Sequence, residues 1–340
     1  MTPREPAVTV LDVARAADVS SATVSRVLNG KASVDPELAR RVTEAVAATG
    51  YVLNSTGRAL RRQVSDVWAA IVSDLQNPFF TGVVGALEDV AVRQGFSVML
   101  CNSDERLDRE RRYVSATIAQ RMSGTVIAVA SERESDLRPL ARAGMPVVLI
   151  DRRVHDYAGD SVLVDNRTAG RLAAEHLVAQ GFRRVACIAG PADVTTTEDR
   201  LCGLRAQLVQ SGGGLDERYV RRTDLRTDGG VAAARSLLAM ADPPDAVFAT
   251  NGPLTAGAYR AVQGLGLRMP SDVGLIGVDD DQWTRMVTPQ VSVIAQPVQQ
   301  IGRLAGELLD ARSRDPAAPP RHEVLPPTLL ERASSTALRG

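Results

Sequence analysis

The hydrophobic pattern divides the chain into two regimes. Over residues 8–50 apolar positions recur only at helical spacing. Val10, Val13, Ala14 and Ala17 share one face of a first short helix, with Thr9 at its N-cap and Asp12 three residues on as a capping box. The turn 17–20 follows, and Asp18 falls where a positive φ is expected, which Asp tolerates better than most residues. Ser20 caps a second helix over 21–28 that directs Val24, Val27 and Leu28 inward and leaves Ser21, Ala22, Ser25 and Arg26 outside; Asn29 and Gly30 stop it. Asp35 at the N-cap and Pro36 at N1 open a third helix, apolar at Leu38, Val42, Ala45 and Val46 and ending at Gly50. Two short helices across a tight turn, closed by a third, describe a helix-turn-helix. Any three-helix bundle with a polar second helix would carry the same pattern.

From Asp66 onward the pattern changes. The runs VWAAIVSD, FSVMLCNSD, GTVIAVA, PVVLIDR, VLVD, RVACIAG, AVFATN and VGLIGVDD alternate with helical periods from about Phe79 and over 108–120, 168–180, 199–211 and 253–265. Near-continuous Val/Ile/Leu runs followed by helices predict parallel sheets covered on both faces. Gly181 and Gly266 suit helix C-caps. The order suggests two consecutive βα lobes, completed by a returning chain: SVIAQP, a helix over 297–311, and HEVLPPTLLER. The expected division is a helical headpiece over 1–50, a hinge over 51–63 and a core over 64–340. Within the core, the first lobe takes about 64–164 and 294–326, and the second 165–293 and 327–340.

Composition narrows the chemistry. Residues 1–62 carry nine Lys/Arg against six Asp/Glu, and the rest of the 340-residue chain 31 against 34, so a mildly basic end precedes an acidic body. Lys31 is the only lysine, which leaves the body without a P-loop or Schiff-base lysine. There is no HExxH, GxSxG or GxGxxG after a strand. His155, His176 and His322 are scattered, and Cys101, Cys187 and Cys202 show no metal-ligand spacing. An enzyme, a metal site or a cofactor is therefore not expected. Without an export signal or a run of about 20 apolar residues, a cytoplasmic protein is expected.

The run VTVLDVARAADVSSATVSRVLNG, with VDPELARRVTEAVAATGYVLNSTGRALRR after it, closely resembles the headpiece and hinge of LacI/GalR-type repressors. DLQNPFF, GFSVMLCNSD, PVVLIDR, VDN, AGP and LIGVDD follow in that family's order, so the resemblance extends to the LLER near residue 332. It implies an all-α headpiece on an α/β two-lobed, periplasmic-binding-protein-like core: a transcription regulator, most often a repressor, that binds a pseudo-palindromic operator as a homodimer under the control of a small effector. The chain runs only to Gly340, with no terminal leucine heptads, which favours a dimer over a tetramer.

By matching position, the resemblance places Ser21, Ala22 and Arg26 on base edges in the major groove, with Arg26 suited to a bidentate contact with guanine. Thr9, Ser20, Thr23, Ser25 and Asn29 suit phosphates, although Ser20 and Asn29 also suit capping. In the hinge, Asn54 can cap a short helix over 55–61, Leu60 matches the family's minor-groove wedge, and Arg58 and Arg61 would meet phosphates. Leu53 and Gly57 depart from the family's usual proline and alanine.

For the effector, the resemblance carries over Phe79 as a stacking face, with Asp151, Arg152, Thr196, Arg200, Asn251 and Asp279 as polar contacts. Phe80 is expected in the core, and Trp283 either in the cleft or packing its lobe. Polar groups at the ends of successive parallel strands converge on one cleft. Two carboxylates, a guanidinium, an amide and an aromatic make a polyol-binding set, so a sugar is the first expectation and a nucleoside the second. Val194 and Leu225 stand where some members hold a flat purine, and Gly252 replaces a frequent aspartate. A transporter's solute-binding protein would share the core without the headpiece.

Overall fold

The structure, a computed structural model, describes residues 8–28, 34–51, 64–155 and 157–336. It divides into two compact units, 1–63 and 64–340.

In the smaller unit, α1 (Val10–Ala16), α2 (Ser21–Leu28) and α3 (Pro36–Thr49) pack around Val13, Ala14, Ala17, Val24, Val42 and Ala45. Asp18 takes the expected positive φ, 51°. Asp35 caps α3 by accepting from the backbone of Glu37 and Leu38, and Gly50 closes it in the left-handed conformation. Leu38 lies half-exposed outside this core, whereas Tyr51, beyond the end of α3, packs against it.

In the larger unit, the first sheet runs β11-β5-β4-β3-β1-β2 and the second β12-β10-β9-β8-β6-β7. The first holds β1 (Val67–Val72), β2 (Ser97–Asn102), β3 (Gly124–Ile127), β4 (Val147–Ile150), β5 (Asp160–Val164) and β11 (His322–Leu325). The second holds β6 (Val185–Ala189), β7 (Val220–Arg222), β8 (Ala246–Ala249), β9 (Gly274–Val278), β10 (Ser292–Ala295) and β12 (Thr328–Leu330). Neighbours are parallel except β12, which lies antiparallel to β10.

Every central strand buries both faces, which is why it reads as an unbroken apolar run. Along β1, Trp68, Ala70 and Val72 meet α4 (Pro78–Arg93) and α12 (Val298–Arg314), while Ala69 and Ile71 meet the side of α5 (Leu107–Ala119) and α6 (Arg138–Arg142). In the second lobe, Cys187 faces α7 (Asn166–Ala179) and α8 (Thr195–Gln210), and Ile188 faces α9 (Thr227–Leu238) and α10 (Gly252–Gly264). A last short helix, α11, spans Gln282–Met286.

The chain passes between sheets after β5, after β10 and after β11. The second passage comes after Ala295 rather than at 293, because Ser292, Val293 and Ile294 stay in register with Ile276, Gly277 and Val278 of β9. Five elements depart further from the sequence expectation. The strand β7 and helices α6, α9 and α11 were not foreseen, and α8 begins at Thr195 rather than 199.

The second lobe's helix pairs approach through glycine. A Cβ on Gly170 of α7 would lie 1.9 Å from the Arg200 carbonyl oxygen of α8, and one on Gly203 would lie 2.0 Å from that of Arg167. The obstructing atoms are backbone, so neither can yield without moving a helix. Gly170→Ala is expected to cost about 1–3 kcal/mol of stability by overpacking, read as a lower melting temperature of the full chain. An unchanged melting temperature would show that these helices sit farther apart.

Candidate nucleic-acid interface and ligand cleft

On α2, Ser21, Ala22 and Arg26 are exposed, as is Ser20 before it, while Thr23 and Ser25 are half-buried. Val24 anchors the helix from beneath. The Ser20 hydroxyl accepts from the Thr23 backbone N–H at 3.1 Å and lies 2.9 Å from the Thr23 hydroxyl, so both support the helix start. Thr9 donates its N–H and hydroxyl to Asp12 at 2.8 and 2.6 Å, which holds the Asp12 carboxyl below its ordinary range. One contributor went unseen in the sequence. The Arg41 guanidinium of α3 donates to the carbonyls of Ala17 and Asp18 at 2.6 and 3.1 Å and so fixes the turn. Nothing local distinguishes it from any exposed helical arginine. Asn29, Asn54, Arg58, Leu60 and Arg61 lie outside the described residues.

In the larger unit, a cleft enclosing about 410 Å³, part of it open to solvent, brings together all seven core residues singled out from the sequence: Phe79, Asp151, Arg152, Thr196, Arg200, Asn251 and Asp279. The first lobe contributes Asp74, Asn77, Phe79, Phe80, Glu105, Asp151 and Arg152; Thr196, Thr197, Arg200, Leu225, Asn251 and Asp279 come from the second. Gln296 lines it from the passage after β10.

The strands place these groups. Asp151 directly follows β4 and Asp279 directly follows β9, each in a left-handed conformation, φ 64° and 75°. Such backbone is uncommon outside glycine and costs of order 1–3 kcal/mol, and here it turns each carboxylate into the cleft as its strand ends. Glu105, after β2, is likewise left-handed at φ 55°.

Arg200 is the electrostatic centre. It is 3% exposed, and its Nε donates to Asn166 at 2.8 Å, Nη1 to the Thr250 carbonyl at 2.6 Å and Nη2 to Gln296 at 3.0 Å. Burial lowers its pKa, with Asp279 and Asp151 acting the other way. Burial raises the Asp279 carboxyl; Arg200, the Gln296 amide (2.6 Å) and the Gly252 N–H (3.2 Å) oppose that shift. Burial likewise raises Asp151, against Arg152 and Arg200. Among the described residues no hydrogen bond satisfies the Asp151 carboxylate, whose nearest cation is the Arg152 Nε at 3.5 Å.

Arg152 is held elsewhere. Burial works against its charge, but a two-pronged pairing with Glu105, 2.7 Å on each side, keeps its pKa raised. Its remaining donor capacity toward a ligand is the unpartnered Nε. Asn251 caps α10 by accepting from Leu254 N–H at 2.8 Å and donates to the Leu225 carbonyl at 3.2 Å, so structure already occupies much of its capacity.

Phe79 and Phe80 are both buried in the first-lobe core and both reach the cleft, their rings edge to face with centroids 5.0 Å apart. Trp283 does not line the cleft. It packs its lobe against Tyr259, centroids 5.5 Å apart. His176 and His322 bond to Ser335 and Ser161, and the described residues hold no cluster fit for a metal. No described helix is long and apolar enough to cross a membrane. Gln296 was missed as a cleft-forming group. It lies where the chain changes lobes, and only the folded topology brings it to Arg200.

Comparison with known proteins agrees with this architecture. Residues 9–54 match the bacterial regulatory proteins of the lacI family, and residues 174–335 match the periplasmic binding protein-like domain. The ribose operon repressor of Halalkalibacterium halodurans is 33% identical over 301 residues, covering 88% of this chain and 89% of that one. Among solved structures, a complex of the transcriptional regulator CelR with cellobiose is 32% identical, covers 96% of this chain and 99% of its own, and superposes with a TM-score of 0.73. The lac repressor dimer bound to operator and the anti-inducer ONPF is 26% identical and covers 98% of this chain and all of its own, with a TM-score of 0.86. The chain belongs to the lacI family of bacterial regulatory proteins, DNA-binding regulators of transcription.

Proposed function

We propose that this chain is a cytoplasmic repressor, acting as a homodimer on a pseudo-palindromic operator, whose grip on DNA is set by a sugar in the interlobe cleft. The observation carrying the sugar reading is the pair of cleft carboxylates, the largely covered Asp151 from one lobe and the buried Asp279 from the other, both acting on the charge of Arg200. Burial without full hydrogen bonding is unfavourable for a carboxylate, and hydroxyl donors from a polyol would relieve it on both sides. The Phe79 ring supplies an apolar face for the sugar's C–H surface. Leu225 in the cleft and Val194 at the start of α8 offer no flat stacking partner for a purine. The relatives named for ribose and cellobiose point the same way.

For the DNA-reading face, the exposed Ser21, Ala22 and Arg26 form the natural contact surface, with Thr9, Ser20, Thr23 and Ser25 beside it. The Ser20, Thr23 and Thr9 hydroxyls already serve their helices, which leaves Arg26 the main carrier of sequence discrimination. We include Asn29 and the hinge residues Asn54, Arg58, Leu60 and Arg61 among the DNA contacts, on the family match alone.

Gel shifts over a salt series test the function directly. Specific affinity falls steeply with salt for a regulator, whereas a transporter's binding protein or an enzyme shows no sequence preference. Arg26→Ala is expected to weaken operator binding by about 1–3 kcal/mol and relax one operator position. An intact preference would remove Arg26 from its role.

Binding at 100 times the dissociation constant stabilises a fold by about 2.7 kcal/mol, so D-ribose or cellobiose is expected to raise the melting temperature. Asp279→Ala should abolish that rise while retaining cooperative melting. A rise that survives in the variant would move the sugar elsewhere.

A further inference from the structure

Three helices open their N-termini onto the cleft: α4, which carries Phe79 and Phe80, α8 with Thr196, Thr197 and Arg200, and α10, which begins at Gly252 beside Asn251. A helix N-terminus is where a protein ordinarily receives a phosphate or carboxylate, through free N–H groups and the positive end of the helix dipole. Here the protein's own oxygens already take at least one N–H group at each of the three. Asn77 accepts from the Phe79 N–H at 3.1 Å on α4. On α10, Asn251 accepts from Leu254 and Asp279 from Gly252.

The case of α8 is unusual. Its N-cap is Val194, whose side chain has no acceptor and makes no capping bond. The missing acceptor arrives from the other lobe: Glu132 takes both the Thr195 N–H and the Thr195 hydroxyl on one oxygen, Oε1, at 2.8 Å each. Glu132 is 2% exposed, and its second oxygen, Oε2, is buried without a hydrogen-bond partner among the described residues. The Glu132 carboxyl group is thus held at the N-terminal end of α8, whose Thr196 and Thr197 line the ligand space.

Most of the positive side of the balance is committed as well. Glu105 holds Arg152, and Arg226, across the cleft mouth, pairs with Asp104 of the first lobe at 2.6 Å. Arg200 has no carboxylate within hydrogen-bonding distance, but its donors go to Asn166, Thr250 and Gln296. Four carboxylates line the cleft, Asp74, Glu105, Asp151 and Asp279, against two guanidiniums, Arg152 and Arg200.

We propose that the cleft selects its ligand by charge, admitting a neutral sugar and rejecting the phosphate ester or acid of the same sugar, and that Glu132, capping α8 from the opposite lobe, is the specificity-determining residue. This rests on the sugar reading above. A phosphoryl group brought to α8 would meet the Glu132 carboxyl group at the Thr195 N–H, in a cleft whose four carboxylates outnumber its two guanidiniums. Glu132 does not line the ligand space itself, so it acts on the ligand through the helix end it occupies.

The test is calorimetric titration of the full chain with D-ribose, D-glucose, their 5- and 6-phosphate esters, and inorganic phosphate. At least one free sugar is expected to bind, with its ester weaker by about tenfold or more, a factor within reach of a charge at a partly buried helix end. Added salt should narrow that gap by screening the repulsion. Glu132→Gln keeps an acceptor for Thr195 and removes the charge. It should move the ester-to-sugar ratio about tenfold toward the ester, which a merely structural cap would not do.

An ester that binds the wild-type chain as tightly as its sugar overturns the proposal. So does a ratio that stays fixed in Glu132→Gln. If Glu132→Gln fails to fold, the wild-type ratio and its salt dependence decide. Binding of no sugar and no ester would instead overturn the sugar reading, and this inference with it.

Discussion

The larger unit depends on one buried guanidinium. Arg200 projects from the second turn of α8 and is tied to Asn166, where the chain first enters the second lobe, and to Gln296, where it leaves again. A third bond goes to the Thr250 carbonyl, at the end of β8. Burying an unpaired charge is costly, and several neutral acceptors with nearby countercharges are what make it tolerable. Asp151 and Asp279 supply those countercharges from opposite lobes. One side chain therefore makes the cleft's electrostatics and its crossover geometry a single problem, and nothing can shift at Arg200 without being felt at two of the three interlobe passages.

Several residues around it are held in states that the sequence alone would not favour. Asp151, Asp279 and Glu105 are left-handed, and the two aspartates are desolvated carboxylates with raised pKa values. Local strain and incomplete solvation of this kind concentrate where a ligand is to complete the bonding. The rest of the lobe is conventional by comparison: apolar strands covered on both faces, and helix pairs drawn together at Gly170 and Gly203.

That contrast explains what could be read from the sequence. The strands were legible because double-sided burial leaves an unbroken apolar run. The cleft was legible because chemistry-bearing residues stand at the ends of those runs. The turn at Asp18 was legible because one residue type suits its backbone. What escaped was whatever the fold supplies from a distance. The start of α8 was placed four residues late because its cap, Glu132, lies 63 residues away in another lobe. The helix α9 was missed because Thr-Asp-Gly-Gly reads as a turn, whereas Gly230 is there to let the Leu254 carbonyl approach, 2.8 Å from where a Cβ would stand. Arg41 and Gln296 carry no local pattern at all.

The same geometry constrains how a ligand could work the switch. A ligand shifts an equilibrium only by its differential affinity for the two arrangements, and contacts confined to one lobe travel with that lobe and favour neither. A sugar held by Asp279 alone would bind without signalling. One that reaches Asp151 as well would favour whichever arrangement sets those carboxylates a sugar's width apart. Hydrogen bonds to charged groups contribute about 1.5–3 kcal/mol each, and typical allosteric couplings are about 1–3 kcal/mol. A single hydroxyl–carboxylate bond on the far lobe is therefore of the right size to carry the whole response. The Glu132–Thr195 and Asp104–Arg226 contacts already join the lobes without a ligand. On the function proposed above, a ligand would add to these contacts a contribution about one bond strong.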